Sequence, residues 1–496
     1  MQISSYSNSV TMKSAIGNIQ QQLADLQRQL TTGYKANSFS QLGTSTSLVL
    51  ALNNQVDQSN SYLSTINATQ LRIQTSSNVM SSLNTIASSL QTGGLSGAFN
   101  LTSNAGTQTS LQETAGSYLS QITSMLNENV ADRQLFGGKN TQTPPVVSPS
   151  LMLNGDTTHA GLTTLIAQRN QADLGATGTG RLTVSSPASG SVAVTEDAGI
   201  FGFKLSNVSS SLTGATVTPP SGSPASLNVA FGATLPANGD SISMDLKLPD
   251  GTTTTIKLTA TSTSPAGAGQ FTIGADAATT AANFQAALGT SIQTEAKTTL
   301  TAASAVQASN EFFSNPPLRV AGTPLTSATG LQNGTPNDTV IWYQGDTSQP
   351  AGNNFVSTIG SGQQVSYGAR ADQTAISTLV KTAALLSAVQ YSSSDPNAAA
   401  SYAALTQRTS TALTYTNTQS LQDIATDLGL KSANLTAATS NLKTQVSTSQ
   451  SLLANNINSD DTTVATQLSA LMTQLQASYQ VTATLSKLSL ATYLPA

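Results

Sequence analysis

Apolar residues recur along this chain at steps of three and four near both ends, and at steps of two near its middle. At the head, Ile16, Ile19, Leu23, Leu26 and Leu30 fall on one line of a helix. At the tail, Val464, Leu468, Leu471, Leu475, Tyr479, Thr482, Leu485 and Leu488 continue the same spacing. These are narrow seams of the coiled-coil kind, not the broad face of a helix lying on a globular core. A lone seam buries too little apolar surface to offset the entropy of ordering some thirty residues. Each end therefore needs partners.

Between the ends the pattern changes twice. The first helix spans about 9–32, with Thr11 or Ser9 as its cap and Gly33 as its stop. Val49, Leu52, Val56, Leu63, Ile66 and Ile73 resume the seam, which continues through Met80, Leu83 and Leu90 to Gly93-Gly94. That predicts a helix over 44–91, ~65–70 Å long. A third helix carries Leu111, Ala115, Tyr118, Ile122 and Met125 and runs to about 132. Thr143-Pro144-Pro145 and Pro149 then block helix. Ile242, Met244, Leu246 and Leu248 alternate with polar residues up to Asp250-Gly251, and Ile256 and Leu258 alternate after it. An Asp-Gly between two such runs is a hairpin signal. Leu182/Val184 and Val192/Val194 read as strands, 277–313 as helix, and Val340-Ile341-Trp342-Tyr343 as a buried strand. Helix returns near Asp372, with Ile376, Leu379, Ala383, Leu386 and Val389 on one stripe. Leu421, Ile424, Leu428, Leu435, Leu442, Ser449 and Leu452 mark a long seam over 398–456, and Ser459-Asp460-Asp461 caps the tail helix. The expected fold is a mainly α rod. Both termini contribute long coiled-coil helices to one discontinuous bundle, with a β-rich, α+β region inserted between them. The expected domains are 1–140, 141–366 and 367–496.

Composition narrows the function. Only 8% of the 496 residues are charged, and the net charge is −4. There is no basic patch to neutralise a nucleic-acid backbone, so nucleic-acid binding is not expected. There is no cysteine, which excludes disulfides, thiolate metal sites and cysteine nucleophiles. No apolar run is long enough to span a membrane. The first residues show neither the basic nor the apolar segment of a cleaved leader, so an extracellular role implies another export route. The lone histidine, His159, follows Asp156-Thr157-Thr158 and reads as an ordinary loop residue, since a zinc site needs several nitrogen or sulfur ligands. Gly175, Gly178 and Gly180 lack the dinucleotide spacing. Asp460-Asp461 reads as a helix cap, Asp250-Gly251 as a turn, and Arg370 with Asp372 as an exposed ion pair of little energetic weight. No catalytic residue, metal or cofactor is expected.

Four stretches resemble the bacterial flagellin superfamily, and within it the hook-associated type found at the hook–filament junction. Leu30-Thr31-Thr32-Gly33-Tyr34-Lys35 is similar to the turn after that family's first helix. Leu135-Phe136-Gly137-Gly138 followed by Thr143-Pro144-Pro145 is similar to the exit from its rod domain. Tyr367-Gly368-Ala369-Arg370-Ala371-Asp372 matches the return to helix. The tail, Gln474 to Tyr479 and then Leu488-Ser489-Leu490-Ala491-Thr492-Tyr493-Leu494, resembles the junction type more than filament flagellins. One departure is Asn37-Ser38-Phe39-Ser40-Gln41, where the family carries an acidic segment. The resemblance covers about 1–140 and 367–496. It implies a structural subunit, not an enzyme, exported unfolded through the flagellar channel and assembled extracellularly through its terminal helices. The implied partners are further copies of itself, hook, flagellin and the other junction protein, and an export chaperone. Two readings compete with it: a filament-forming flagellin, and an extracellular fibre or adhesin with a coiled-coil stem.

Overall fold

The structure, a computed structural model, describes residues 2–101, 106–186 and 188–491. Helix α1 (Gln2–Thr32) ends at Gly33, whose φ of +71° is one that glycine adopts without strain. It begins before the expected residue 9, and Thr11 is not its cap: that hydroxyl donates to the Ser7 carbonyl inside the helix. Helix α2 (Thr46–Ser96) runs straight through Gly93-Gly94, the expected stop. The reason is packing. A Cβ on Gly94 would lie 2.3 Å from Ser410 Oγ, so the glycine admits a neighbouring helix. Helix α3 (Ser110–Leu126) opens on a capping box between Thr109 and Gln112. It stops short of 132, where Ala131 and Asp132 take positive φ. Short helices α4 (Pro149–Asn154) and α5 (Leu162–Leu174) follow.

The strands come next: β1 (Leu182–Ser185), β2 (Ser191–Glu196), β3 (Lys204–Ser210), β4 (Ala215–Gly222), β5 (Ala225–Phe231), β6 (Ser241–Lys247), β7 (Thr253–Thr261) and β8 (Gln270–Thr272). The Asp-Gly hairpin is β6–β7, with Met244 opposite Ile256. The expected 277–313 helix is α6 (Ala277–Glu295) and α7 (Thr301–Phe312), joined by a π-helical turn. Then come β9 (Leu318–Ala321), β10 (Gly330–Asn333), β11 (Phe355–Gly360) and β12 (Gln363–Tyr367). Val340, Trp342 and Tyr343 are buried as expected, but they form no strand. Its backbone is paired instead through single bridges, Val146 to Tyr343 and Ala160 to Thr339.

The chain closes with α8 (Thr374–Ala388), α9 (Ala398–Ala412), α10 (Leu421–Ile457) and α11 (Asp461–Ala491). The expected single helix over 398–456 is thus two helices. Tyr415 and Asn417, both at positive φ, turn the chain between them. Helix accounts for 53% of the residues, and the described strands all lie between Leu182 and Tyr367, giving a helix-rich α+β fold.

Contacts gather into two compact units. One comprises Met1–Gln70, Ser357–Val365 and Ala433–Ala496; the other comprises Leu71–Val356 and Ser366–Ser432. The division at 70 falls inside a helix, where composition does not change, and the change near 140 lies within the second unit. In the second unit, two four-stranded sheets, ordered β1-β2-β5-β4 and β3-β6-β7-β8, share one core with α6. Val192, Val229, Met244 and Leu258 meet Phe284, Leu288 and Ile292 there. Phe231, Phe271 and Phe284 pack edge to face. In the first unit α2 meets β11 and α10 partly through small polar groups. Thr69 Oγ1 and Ser357 Oγ lie 2.7 Å apart, and Gln70 donates to Thr436 Oγ1 at 3.3 Å.

Candidate functional site

The terminal helices are joined at their base. Lys35 N donates to the Ile457 carbonyl, and Ser459 N to the Gly33 carbonyl, both at 2.8 Å. Ser459 Oγ reaches Gln29 O at 3.1 Å, and Lys35 Nζ reaches Asn455 O at 2.6 Å. This clasp sets α1 beside α11. Asp460 then starts α11 by accepting from the backbone N–H groups of Thr462 and Thr463. The Thr463 N–H bond, with help from its hydroxyl and the Thr462 N–H, holds the Asp460 carboxyl below the usual carboxylate range.

The pairing covers the seam only in part. Ile19 and Val464 are buried. Ile16, Leu23, Leu26, Leu468, Leu471 and Leu475 are half-buried. Leu30, Tyr479 and Leu485 are exposed, the last two by 47% and 52%. Val10, Met472 and Val481 add further exposed apolar surface. Polar links cross the pair, with Gln20 Nε2 donating to Tyr479 Oη at 3.0 Å. The side chain of Leu488 and residues 492–494 lie outside the described residues. One helix per seam therefore leaves a strip of apolar side chains in water. Such a strip can bind another helix but offers no group to a reaction.

Two motifs that are far apart in the chain meet in the second unit. Ala371 N donates to Phe136 O at 3.0 Å, and Asp346 N to Gly137 O at 2.9 Å. Arg370 lies among them, fully buried rather than exposed as expected. Its Nε and Nη2 bond both Asp372 oxygens, at 2.8 and 2.6 Å, and Nη1 donates to the Ser348 carbonyl. Burial disfavours its charge, but the bonds to Asp372 outweigh that and raise its pKa. Asp250 also exceeds its expected role. It shapes the β6–β7 turn by accepting from Thr252 N, and its other oxygen takes Arg408 Nε of α9 at 2.7 Å.

Sequence reasoning missed a third cluster. Arg169 on α5 bonds Asp173 Oδ2 at 2.8 Å and also meets Glu311 of α7. Asp173 further accepts from Gly202 N and Ser304 Oγ. Burial pushes the Glu311 carboxyl up, with Arg169 opposing it. The signal available was the four-residue spacing of Arg169 and Asp173 on one helix face. His159 stays in its loop, its Nδ1 2.8 Å from the Asp156 carboxylate. Backbone N–H bonds from Thr158 and His159, with the histidine side chain, hold Asp156 well below its usual range. Among the described residues no three His, Asp or Glu side chains gather as a metal site would require. Nor is any helix long and apolar enough to cross a membrane. No known family model matches the sequence, and no curated protein matches it significantly.

Proposed function

We propose that this chain is a structural subunit of the bacterial flagellum, which assembles through α1 and α11 at the hook–filament junction. The observation that carries the reading is the apolar strip on the terminal helix pair, half-covered within the chain and continued by Tyr479 and Leu485. A side chain the size of leucine gains ~1.5–3 kcal/mol on full burial, so several such side chains per helix strongly favour a further helix. Neighbouring copies supply that helix in this reading, and the long helices of both chain halves form a rod from which the strand-rich region projects. Hook, flagellin and the second junction protein are the adjoining partners, an export chaperone covers the strip beforehand, and the destination is extracellular. The tail from Leu488 to Leu494 favours the junction over the filament, by its resemblance to the junction type. The reading assigns no reaction and no cofactor.

The test is electron microscopy of cells lacking the gene. Bare hooks, with flagellin shed into the medium, are expected. Complete attached filaments would overturn the proposal, and loss of both filament and shed flagellin would point to the filament subunit instead. Hydrogen exchange adds a second check. Residues 1–30 and 465–496 should exchange quickly in the monomer and slowly after assembly.

A further inference from the structure

The free edge of a sheet is a row of unpaired backbone groups, and proteins blunt it with prolines and bulges. At the edges of the two larger sheets, β4 carries Pro219-Pro220 and a register shift between Thr218 and Ser221. Strand β3 carries a register shift between Leu205 and Asn207. Strand β7 has neither device, and it is covered only in part. Its neighbour β8 pairs with Thr259, Ala260 and Thr261 alone. Residues 253–257 pair with β6 on one side and with no strand on the other. The Thr252 carbonyl accepts from Leu248 N on the β6 side, and Thr259 N donates to the Gly269 carbonyl on the β8 side. Alternation along the strand then turns the N–H and C=O groups of Thr253, Thr255 and Lys257 to the open side. Neither a ladder nor a turn gives these six groups a partner among the described residues.

A groove of about 660 Å³ lies beside this open edge, within the ~300–1,000 Å³ usual for ligand sites. Ile256 and Phe271 line it on the sheet side, and Ala286, Ala287, Thr290 and Ser291 line it on the α6 side. Two bonds tie α6 to the sheet at the ends of the groove. Thr254 Oγ1 donates to Glu295 Oε2 at 3.1 Å, and Asn283 Nδ2 donates to the Thr272 carbonyl at 2.9 Å. The open edge is five residues long, or ~16 Å at ~3.3 Å per residue. Beside it the helix presents only small side chains, which leaves room for those of an added strand.

Alternating donors and acceptors at a two-residue repeat match the main chain of another strand, and no sugar, nucleotide or fatty acid has that repeat. Charge narrows the match further. Lys257 is exposed, lies opposite Ser243 of β6 and pairs with no carboxylate among the described residues. A lysine on an edge repels an apolar strand. It favours one that brings a carboxylate opposite it. We propose that the β7 edge binds an extended acidic peptide, which joins the β3-β6-β7-β8 sheet alongside residues 253–257. Alternate side chains of the peptide then enter the groove beside α6, and its carboxylate meets Lys257 on the other face. The site involves neither α1 nor α11, so it stands or falls apart from the assembly reading.

The test uses the full-length chain carrying 15N-labelled lysine, with the Lys257 backbone signal assigned by Lys257→Arg. In the free chain the Lys257 amide should exchange with solvent quickly, and protection there already would overturn the open edge. The probe is the peptide acetyl-Thr-Val-Glu-Val-Thr-amide, titrated at constant ionic strength. It should shift the Lys257 signal saturably and slow its exchange, and the absence of a saturable shift would overturn the site. A version N-methylated at every amide should not bind, and equal binding by it would overturn the strand pairing. A version with lysine in place of the glutamate should bind about threefold more weakly, the scale of a cross-strand charge pair. In Lys257→Glu, followed at 15N-labelled Thr255 with Trp342 fluorescence verifying the fold, that order should reverse. Equal affinity for the two peptides in both proteins would overturn the acidic assignment.

Discussion

Helices α6 and α11 carry stripes of the same kind, and they end in opposite environments. Phe284, Leu288 and Ile292 on α6 are completely buried, because two sheets face that helix from above the stripe. On α11, Val464 is the one described side chain that is buried, while Leu468, Leu471 and Leu475 are halfway and Leu485 stands in water. The helices differ less in apolar content than in what faces them. Periodicity belongs to a single helix, whereas burial depends on the number of neighbours. On the proposed reading, a stripe with half its neighbours present in the chain is addressed to something outside it.

Substitutions on the two helices should separate these environments. Phe284→Ala removes a ring from a filled core and should cost about 4 kcal/mol in urea unfolding followed at Trp342. An effect below about 1 kcal/mol would make the two helices alike and break the contrast. Arg370→Gln takes the fully buried cation away from half-buried Asp372 and from the Ser348 carbonyl, and should cost about 3 kcal/mol by the same measurement. Gly94→Ala places a methyl group against Ser410 Oγ and should cost about 2 kcal/mol, with a lower melting temperature. Leu475→Ala should change monomer stability by less than about 1 kcal/mol, because the side chain is already half in water, and yet impair assembly seen by electron microscopy. The smallest effect concerns Asp460. Its lowered carboxyl pKa means that its cap contributes above the ordinary carboxylate value of about 3.9, and that this contribution is lost as pH falls through the lowered value. Amide protection at Thr463 should follow that course, and Asp460→Ala should show low protection throughout.

Much of this was legible in advance, for a consistent reason. The β6–β7 hairpin, the Gly33 stop and the Asp460 cap are local devices, so the residues that cause them sit within a few positions of their effect. The terminal seam was legible as a line of residues, although not in how much of it the chain itself covers. What stayed hidden depends on remote neighbours. Gly94 looked like a stop because Ser410 lies more than three hundred residues away. Arg370 looked exposed because the carbonyl and carboxylates that bury it come from 346–348 as well as Asp372. The Arg169 cluster joins α5 to α7 across all eight strands of the two larger sheets. The break between α9 and α10 is the exception: it is local, but it uses Tyr415 and Asn417 where a glycine would have announced it.

The clasp of Lys35 with Ile457 and Ser459 with Gly33 has a kinetic consequence. Closing a loop of more than four hundred residues is an entropic cost met once, at the base, so the α1–α11 pair lengthens from there like a zipper whose first tooth is fixed. Fraying then starts at the far ends, near Gln2 and Ala491. In the proposed assembly, a neighbour that docks there sets how far the zipper closes, and binding is read out as a length of ordered helix rather than as a switch between two states.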